Sequence, residues 1–226
     1  MASMASLFQC SDPKKWAQVC EIYWEVVATK GAKQKKGLLE LDRWYQEELP
    51  AHIATRPQKS LTLEEMVKLM EWKLMRGKFR PRLKQMVSSN PASTVESCTR
   101  KAFQLLPDIS ASIAELCQLK GIGPATASAV LSAGAPEMAA FMADEAVESV
   151  PGLSPIQYNA KHYLRYLEEL RLKAEALSKA SEEEWTPHRV ELCLWTWKVA
   201  QKLCPKLLES LEDEEERPAK KLKTQQ

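Results

Sequence analysis

The sequence predicts an all-α fold, and three observations support that prediction. No run of alternating β-branched residues is long enough to form a useful strand. Apolar residues instead recur every three or four positions, which is the period of a helix with one buried face. Several of these segments begin with a capping residue followed by proline, as in Asp12-Pro13 and Thr186-Pro187. With 226 residues, the chain is long enough to bury a sizeable core.

Composition along the chain divides it into three parts. We expect a flexible N-terminus over 1–11, a single helical domain over 12–210, and a disordered tail of acidic and then basic residues over 211–226. The helical domain can be divided further into two lobes. The central lobe covers about 60–150 and contains a hairpin, whereas the second lobe combines 12–50 with 155–210.

The sequence pattern in the first part of the domain predicts two helices. Asp12 can cap the first one, which carries an apolar stripe from Trp16 to Val27 and ends at Gly31. The second helix ends near Pro50. The run 30–36 between them is basic, and such a run is more often solvated loop charge than a nucleic-acid contact.

Residues 59–84 form a strongly basic segment, with eight basic and three acidic residues and therefore a local charge of +5. A helix begins there at a capping box of Thr62 and Glu65. Trp72 and Phe79 lie among the cations as stacking surfaces, and a cluster of this kind favours a polyanion. We therefore predict that five cations contact nucleic acid: Lys73, Arg76, Lys78, Arg80 and Arg82. The alternative is an amphipathic helix followed by a solvated basic loop.

Residues 110–134 predict a helix-hairpin-helix around the run Leu-Lys-Gly-Ile-Gly-Pro-Ala-Thr-Ala that begins at Leu119. The glycines tolerate the positive torsions of a tight turn, and Pro124 suits the first position of the second helix. Free backbone amides and the helix dipole at that position favour the binding of a phosphate group. A contact with phosphate does not distinguish one base from another. The predicted contact residues are Lys120, Gly121, Gly123, Ala125 and Thr126. The alternative is an ordinary glycine turn between two packed helices.

Two more helices complete the domain. Ser154-Pro155 predicts the start of a long helix whose apolar face reaches Leu177. Thr186-Pro187 predicts the start of the last one. His188 and Glu191 lie one turn apart on that helix, and we expect them to form a surface pair.

The hairpin and the residues after it resemble the helix-hairpin-helix DNA glycosylase superfamily. Its Leu-Pro-Gly-Val-Gly-x-x-Thr-Ala pattern and its later aspartate segment match in register at Leu119, Gly121, Gly123, Thr126, Ala127, Asp144, Val147 and Val150. The resemblance covers roughly 110–150. It implies a two-lobed helical fold with DNA in the cleft, and a base flipped out of the duplex. It also implies that Asp144 is the catalytic residue, which stabilises the cationic sugar and helps to activate a water.

The sequence departs from that pattern at several positions, so we describe it as a divergent member. Ser149 replaces an arginine of the family, and Glu145 and Glu148 add negative charge. Lys120 replaces a proline of the hairpin. A bifunctional lyase of this family carries a lysine where this chain has Ala125, so the resemblance implies a monofunctional glycosylase.

Other interpretations stay open at this point. Asp144 could simply cap a helix over 145–150, since aspartate is a preferred capping residue. The chain could be a non-catalytic DNA-binding module that has lost glycosylase chemistry. It could also be a helical scaffold with no role on nucleic acid.

The remaining expectations concern cofactors, partners and location. None of the six cysteines forms a close pair, which indicates a reducing compartment. Only Cys193 and Cys204 follow the aspartate segment, too few for the family's four-cysteine iron–sulfur cluster, so we expect no metal and no cofactor. No stretch is apolar enough to cross a membrane. We expect a monomer that binds duplex DNA with low sequence specificity. A lysine-rich cluster over 217–223 predicts a nuclear location, and otherwise a cytoplasmic one.

Overall fold

The structure, a computed structural model, describes residues 6–215. Within that range the secondary structure is helical and contains no strand, which confirms the predicted all-α class. The helices are α1 Pro13–Glu21, α2 Tyr23–Gln34, α3 Leu38–Arg43, α4 Leu49–Thr55, α5 Leu63–Arg76, α6 Leu83–Ser88, α7 Ala92–Gln104, α8 Ile109–Leu116, α9 Pro124–Gly134, α10 Asp144–Val147, α11 Ala160–Lys179, α12 Pro187–Leu203 and α13 Pro205–Glu215. A 3-10 turn, Leu7–Gln9, precedes α1, and a π-helical segment, Trp44–Glu48, joins α3 to α4.

The predicted helix starts agree with the structure where a side chain caps the helix. Three predicted caps each accept a hydrogen bond from a backbone N–H of the first turn: Asp12, Thr62 and Thr186. Asp108 caps α8 in the same way. Glu65 also accepts from the backbone N–H of Thr62 and completes the capping box. Each cap satisfies an amide that the helix itself leaves free, which fixes the first residue of the helix.

The helices share one hydrophobic core. Helix α12 packs against α1, α2, α10, α11 and α13, so the two ends of the chain meet around it. Helix α5 packs against α3, α6, α7 and α9, and α8 packs against α7 and α9. Because the same core runs through both groups, the division into two lobes stays a prediction. No helix in residues 6–215 is both long and apolar enough to cross a membrane.

Two predicted boundaries near the chain ends are wrong. In the predicted flexible N-terminus, Leu7 is buried and Trp16 donates from Nε1 to the carbonyl of Cys10, so residues 6–11 pack against the core. At the other end, α13 continues to Glu215 because Leu208 and Leu211 are buried. Residues 1–5 and 216–226, with the lysine-rich cluster, lie outside the described residues.

The long helix α11 begins later than the sequence predicts. Its first residue is Ala160, and Asn159 caps it by accepting from the backbone N–H of His162. Residues 154–159 therefore form a loop instead of the first turn of the helix. That loop carries Tyr158, which is 45% exposed.

A buried charge network lies where α5 meets α12 and α3. Arg76 is 1% exposed, and its guanidinium donates to both carboxylate oxygens of Glu191, at 2.8 and 3.3 Å. Its Nε also lies 3.8 Å from Asp42 Oδ1. The prediction that Arg76 contacts nucleic acid is therefore wrong, because the side chain is enclosed and already paired.

Neighbouring residues correct three further predictions. Trp72 is fully buried and stacks on Tyr45 with ring centroids 3.5 Å apart, so it offers no surface to a base. Lys30 is buried and donates to the carbonyl of Arg76 instead of lying in a solvated loop. His188 and Glu191 are not a surface pair, since Glu191 is 0% exposed and His188 Nδ1 lies 2.8 Å from Ser132 Oγ.

Candidate nucleic-acid interface

The turn between α8 and α9 has the tight geometry that the sequence predicts, but only one glycine needs a positive torsion. Gly121 has φ 79°, and an added Cβ would lie 3.0 Å from Met86 Cβ and 3.1 Å from Val87 Cγ2. Gly123 has φ −111° and ψ 179°, an extended conformation open to any residue. The expectation of positive torsions at both glycines is therefore wrong for Gly123.

A side chain outside the hairpin holds the turn in place. Asn90, which is 6% exposed, accepts from the backbone N–H of Lys120 at 2.9 Å and donates to the carbonyl of the same residue at 3.0 Å. It also donates to the carbonyl of Val87. These bonds fix the turn against the end of α6. No signal in the sequence indicates this role, because Asn90 is thirty positions away along the chain.

The first turn of α9 leaves two backbone donors without an acceptor in the part of the chain that the structure describes. Pro124 has no N–H, and the N–H of Ala127 is bonded to the carbonyl of Gly123 at 2.9 Å. The N–H groups of Ala125 and Thr126 have no acceptor in residues 6–215. No atom lies within 4 Å of a Cβ built on Gly123, so the space in front of the turn is open. Amides of this kind at a helix N-terminus suit an anionic oxygen.

Asp144 lies in a small pocket beside the hairpin, which we call the Asp144 pocket. It has a volume of about 50 Å³. Besides the aspartate, its lining includes Lys73, Lys78, Arg80, Ala125 and Tyr158. A groove of about 290 Å³ adjoins it and shares four of these residues: Lys73, Arg80, Ala125 and Tyr158. Gly121, Gly123 and Thr126 line the same groove. The hairpin and the carboxylate therefore face one continuous concave surface.

The carboxylate of Asp144 does not cap a helix. Asp144 is the first residue of α10, the capping position is Ala143, and no side chain caps this helix. Instead the carboxylate accepts from Tyr158 Oη at 2.9 Å to each oxygen, and Oδ2 lies 2.7 Å from Lys78 Nζ. The capping interpretation of Asp144 is therefore not supported. Its partners are exposed side chains that can move away.

The cations around Asp144 differ in their electrostatic state. Lys78 is exposed, and its hydrogen bond and charge interaction with Asp144 raise its pKa. Lys73 is half-buried, and burial lowers the pKa of its amine, an effect that the Asp144 charge partly opposes. The guanidinium of Arg80 lies 5.6 Å from the ring centroid of Tyr158. Burial and the hydrogen bond to Asp144 raise the pKa of Tyr158, so its hydroxyl stays protonated near neutral pH.

The two extra glutamates have cationic neighbours. Glu145 Oε1 lies 3.7 Å from the buried Lys30 Nζ, and Glu148 Oε2 lies 4.0 Å from Lys198 Nζ. Ser149 donates to the carbonyl of Glu145. The negative charge that the sequence places near Asp144 is therefore at least partly neutralised within the protein.

A family model for the helix-hairpin-helix motif matches residues 107–133. That range includes α8, the turn and nearly all of α9, and it supports nucleic-acid binding by the hairpin. No curated protein and no solved structure matches this chain. The match covers the motif alone, so the resemblance to the glycosylases beyond it rests on the sequence pattern around Asp144.

The predicted contact residues fall into three groups. Most of them line the Asp144 pocket or its groove, namely Lys73, Lys78, Arg80, Gly121, Gly123, Ala125 and Thr126. Arg82 and Lys120 are exposed, and Arg82 lines a separate groove together with Phe79, which is 70% exposed. Arg76 is excluded because it is buried with Glu191. Tyr158 is not among the predicted contact residues, because a tyrosine in a predicted helix gives no sign of facing the aspartate.

Within residues 6–215, no group of three histidine, cysteine, aspartate or glutamate side chains comes close enough together to hold a metal ion.

Proposed function

We propose that this protein binds duplex DNA through its sugar-phosphate backbone, with little sequence preference. The hairpin supplies the free amides of Ala125 and Thr126, and the neighbouring loop supplies Lys78 and Arg80. Backbone contacts of this kind position a protein on DNA without reading bases. A monomer acting in the nucleus fits this proposal and stays a prediction.

We further propose that the protein is a DNA glycosylase, with Asp144 stabilising the positively charged sugar as a base leaves. The observation that carries this proposal is that Asp144 shares one concave surface with the hairpin. A phosphate on the hairpin would place the neighbouring sugar near the carboxylate. A fixed carboxylate lowers the barrier because it interacts more strongly with the cationic transition state than with the substrate.

The Asp144 pocket is small, so the proposed mechanism also requires the pocket to open. Its 50 Å³ has room for roughly four water molecules, which is less than a nucleobase needs. Lys78 and Tyr158 occupy the space in front of the carboxylate through their contacts with it. DNA phosphates compete for the Lys78 cation, so we expect DNA binding to release Lys78 from Asp144 and to open the pocket.

DNA binding is tested by titrating unrelated duplexes at several salt concentrations. We expect similar affinities across sequences and a steep loss of affinity with salt, because bound cations displace counterions from the DNA. Arg80→Gln should reduce the slope of log K against log salt by about one. Binding that does not depend on salt would contradict a phosphate contact.

The hairpin contribution is tested at Gly123, where the backbone is open. Gly123→Arg should abolish binding, because a long side chain would occupy the space in front of the amides. Gly123→Ala is the matched control and should keep most of the affinity, since its Cβ meets no atom within 4 Å. Circular dichroism would show that both variants keep their helices.

Base release is tested with duplexes that carry a panel of damaged or mismatched bases, followed by alkali to cut every abasic site. Asp144→Asn should remove base release without reducing DNA affinity. Glu148→Gln is the matched control, since Glu148 lies just past α10 and outside the pocket lining. Release that survives in Asp144→Asn would contradict the catalytic role.

A non-catalytic DNA-binding module is the second candidate. The observation that favours it is that both carboxylate oxygens of Asp144 already have partners within the protein. If the wild-type protein binds every duplex of the panel and releases no base, this candidate replaces the glycosylase.

A further inference from the structure

The Asp144 pocket contains four cationic side chains, and only one of them combines a reactive amine with the absence of a partner. Lys78 is paired with Asp144, and Arg76 is buried against Glu191. Arg80 and Arg76 are guanidinium groups, which are always charged and do not serve as amine nucleophiles at neutral pH. The amine of Lys73 forms no hydrogen bond or ion pair with any residue in 6–215, although the negative charge of Asp144 acts on it.

The position of Lys73 is fixed by the fold. It lies in the last turn of α5, a helix that packs against α3 on one side and α9 on another. Its neighbours along the chain, Trp72 and Leu74, are buried and anchor that turn. The side chain is therefore held at the junction of the Asp144 pocket and the hairpin groove, and it lines both.

Ala125 lines the same pocket from the opposite element, the first turn of α9. Its methyl group leaves the space between α9 and α5 unfilled, so a substrate placed on the hairpin would face Lys73 across it. Burial also lowers the pKa of the Lys73 amine, which increases the neutral fraction that can act as a nucleophile.

We propose that Lys73 is a nucleophile that forms a Schiff base with the deoxyribose aldehyde of an abasic site in DNA. This inference rests on the proposed DNA contact but not on base release, because the abasic site can be supplied ready-made. The proposed reaction differs from the monofunctional glycosylase that the resemblance implies. In this proposal Lys73 on α5 supplies the amine, because position 125, where a bifunctional enzyme carries a lysine, is an alanine.

The reaction balances without any cofactor. The neutral amine adds to C1′ of the ring-opened sugar, and loss of one water gives the imine, which is protonated to an iminium. A base removes a proton from C2′, the electron pair moves toward the iminium, and the C3′–O bond breaks with the phosphate as leaving group. Asp144 is a carboxylate of the pocket lining that can accept the C2′ proton. Hydrolysis with one water then releases the unsaturated aldehyde and restores the lysine.

The test uses the full chain and a duplex with one natural abasic site, in the presence of cyanoborohydride, which reduces an imine to a stable amine. We expect a covalent protein–DNA adduct that peptide mass spectrometry assigns to Lys73. Without the reductant, the abasic strand should be cut in the absence of alkali. A duplex with a tetrahydrofuran site has no aldehyde, so it should bind and give no adduct.

Lys73→Arg keeps the positive charge and removes the reactive amine, so it should reduce the adduct to background even at protein concentrations that saturate binding to the tetrahydrofuran duplex. Lys68→Arg is the matched control. Lys68 lies five residues earlier on α5, with Nζ 4.5 Å from the Trp44 ring centroid and outside the pocket lining, and this variant should form the adduct normally.

The outcomes separate this inference from the proposed function. An adduct that persists in Lys73→Arg, or that maps to Lys78 or Lys120, overturns the role of Lys73. Tight binding of the tetrahydrofuran duplex with no adduct on the natural site overturns it as well and leaves DNA binding intact. Failure to bind either duplex contradicts the proposed function itself and, with it, this inference.

Discussion

Lys73 and Arg76 lie one turn apart on α5, in the same basic segment, and the structure uses them differently. Arg76 is fully buried, bonded to both oxygens of Glu191, and its guanidinium lies 4.3 Å from the ring centroid of Trp195. Lys73 is half-buried, has no partner in residues 6–215, and faces the Asp144 pocket. One cation belongs to the core, whereas the other is available to a ligand.

The difference shows that the net charge of a segment is a poor measure of its affinity for polyanions. The local charge of +5 includes Arg76, which Glu191 and Asp42 neutralise inside the protein, and Lys84, which pairs with Glu71. The cations that remain available to a ligand lie on the loop after α5 and on the side of α5 that faces the Asp144 pocket. The following predictions test this comparison, beginning with the largest expected effect.

The first prediction compares the two cations for stability. Arg76→Met should lower the free energy of unfolding by about 3–5 kcal/mol, because it leaves the buried carboxylate of Glu191 without its partner. Lys73→Met should change it by less than about 1 kcal/mol, since the amine has no partner to lose. Urea unfolding with an unchanged m value measures both. A large loss in Lys73→Met would remove the contrast between the two residues.

The second prediction extends the comparison to the hairpin. Gly121→Ala should cost roughly 1–3 kcal/mol because a Cβ is strained at a positive φ and meets Met86 and Val87. Gly123→Ala should change stability by less than about 1 kcal/mol, because lower freedom of the unfolded chain offsets a poorer capping residue. Thermal unfolding distinguishes them, and equal losses would contradict the different roles of the two glycines.

The third prediction concerns Asp144, whose partners are exposed. Asp144→Asn and Asp144→Ala should each cost no more than about 1 kcal/mol, because a partly exposed ion pair contributes little. The two variants should also resemble each other, since the carboxylate caps no helix. A clear loss in Asp144→Ala alone would restore the capping interpretation.

The fourth prediction is a pH dependence near Arg76. Burial, with the positive charge of Arg76, lowers the pKa of His188 to about 4. The unfolded chain then takes up a proton at higher pH than the folded protein does, so this residue reduces stability as pH falls from about 6.5 towards 4. His188→Gln should show a smaller drop in thermal midpoint between pH 7 and pH 4.5. An unchanged drop would mean that other groups cause it.

Local signals in the sequence predicted the helices that begin at capping residues, such as α5 at Thr62 and α12 at Thr186. A similar local signal gave a wrong prediction for the start of α11. Ser154-Pro155 resembles a helix start, yet α11 begins at Ala160 because Asn159 provides the cap. The candidate aspartate was identified from the resemblance to the glycosylase pattern, whereas its partner Tyr158 was not identified, since nothing local links the two.

The sequence by itself determined the helical class and the hairpin, because capping, helical period and glycine turns depend on neighbours within a few positions. Only the tertiary structure decided which cations are available. Burial of Arg76 depends on Glu191, which is 115 positions away, and Asn90 holds Lys120 across thirty positions. A long-range pair changes the solvation and charge of both partners, and neither the composition nor the period of one segment contains that information.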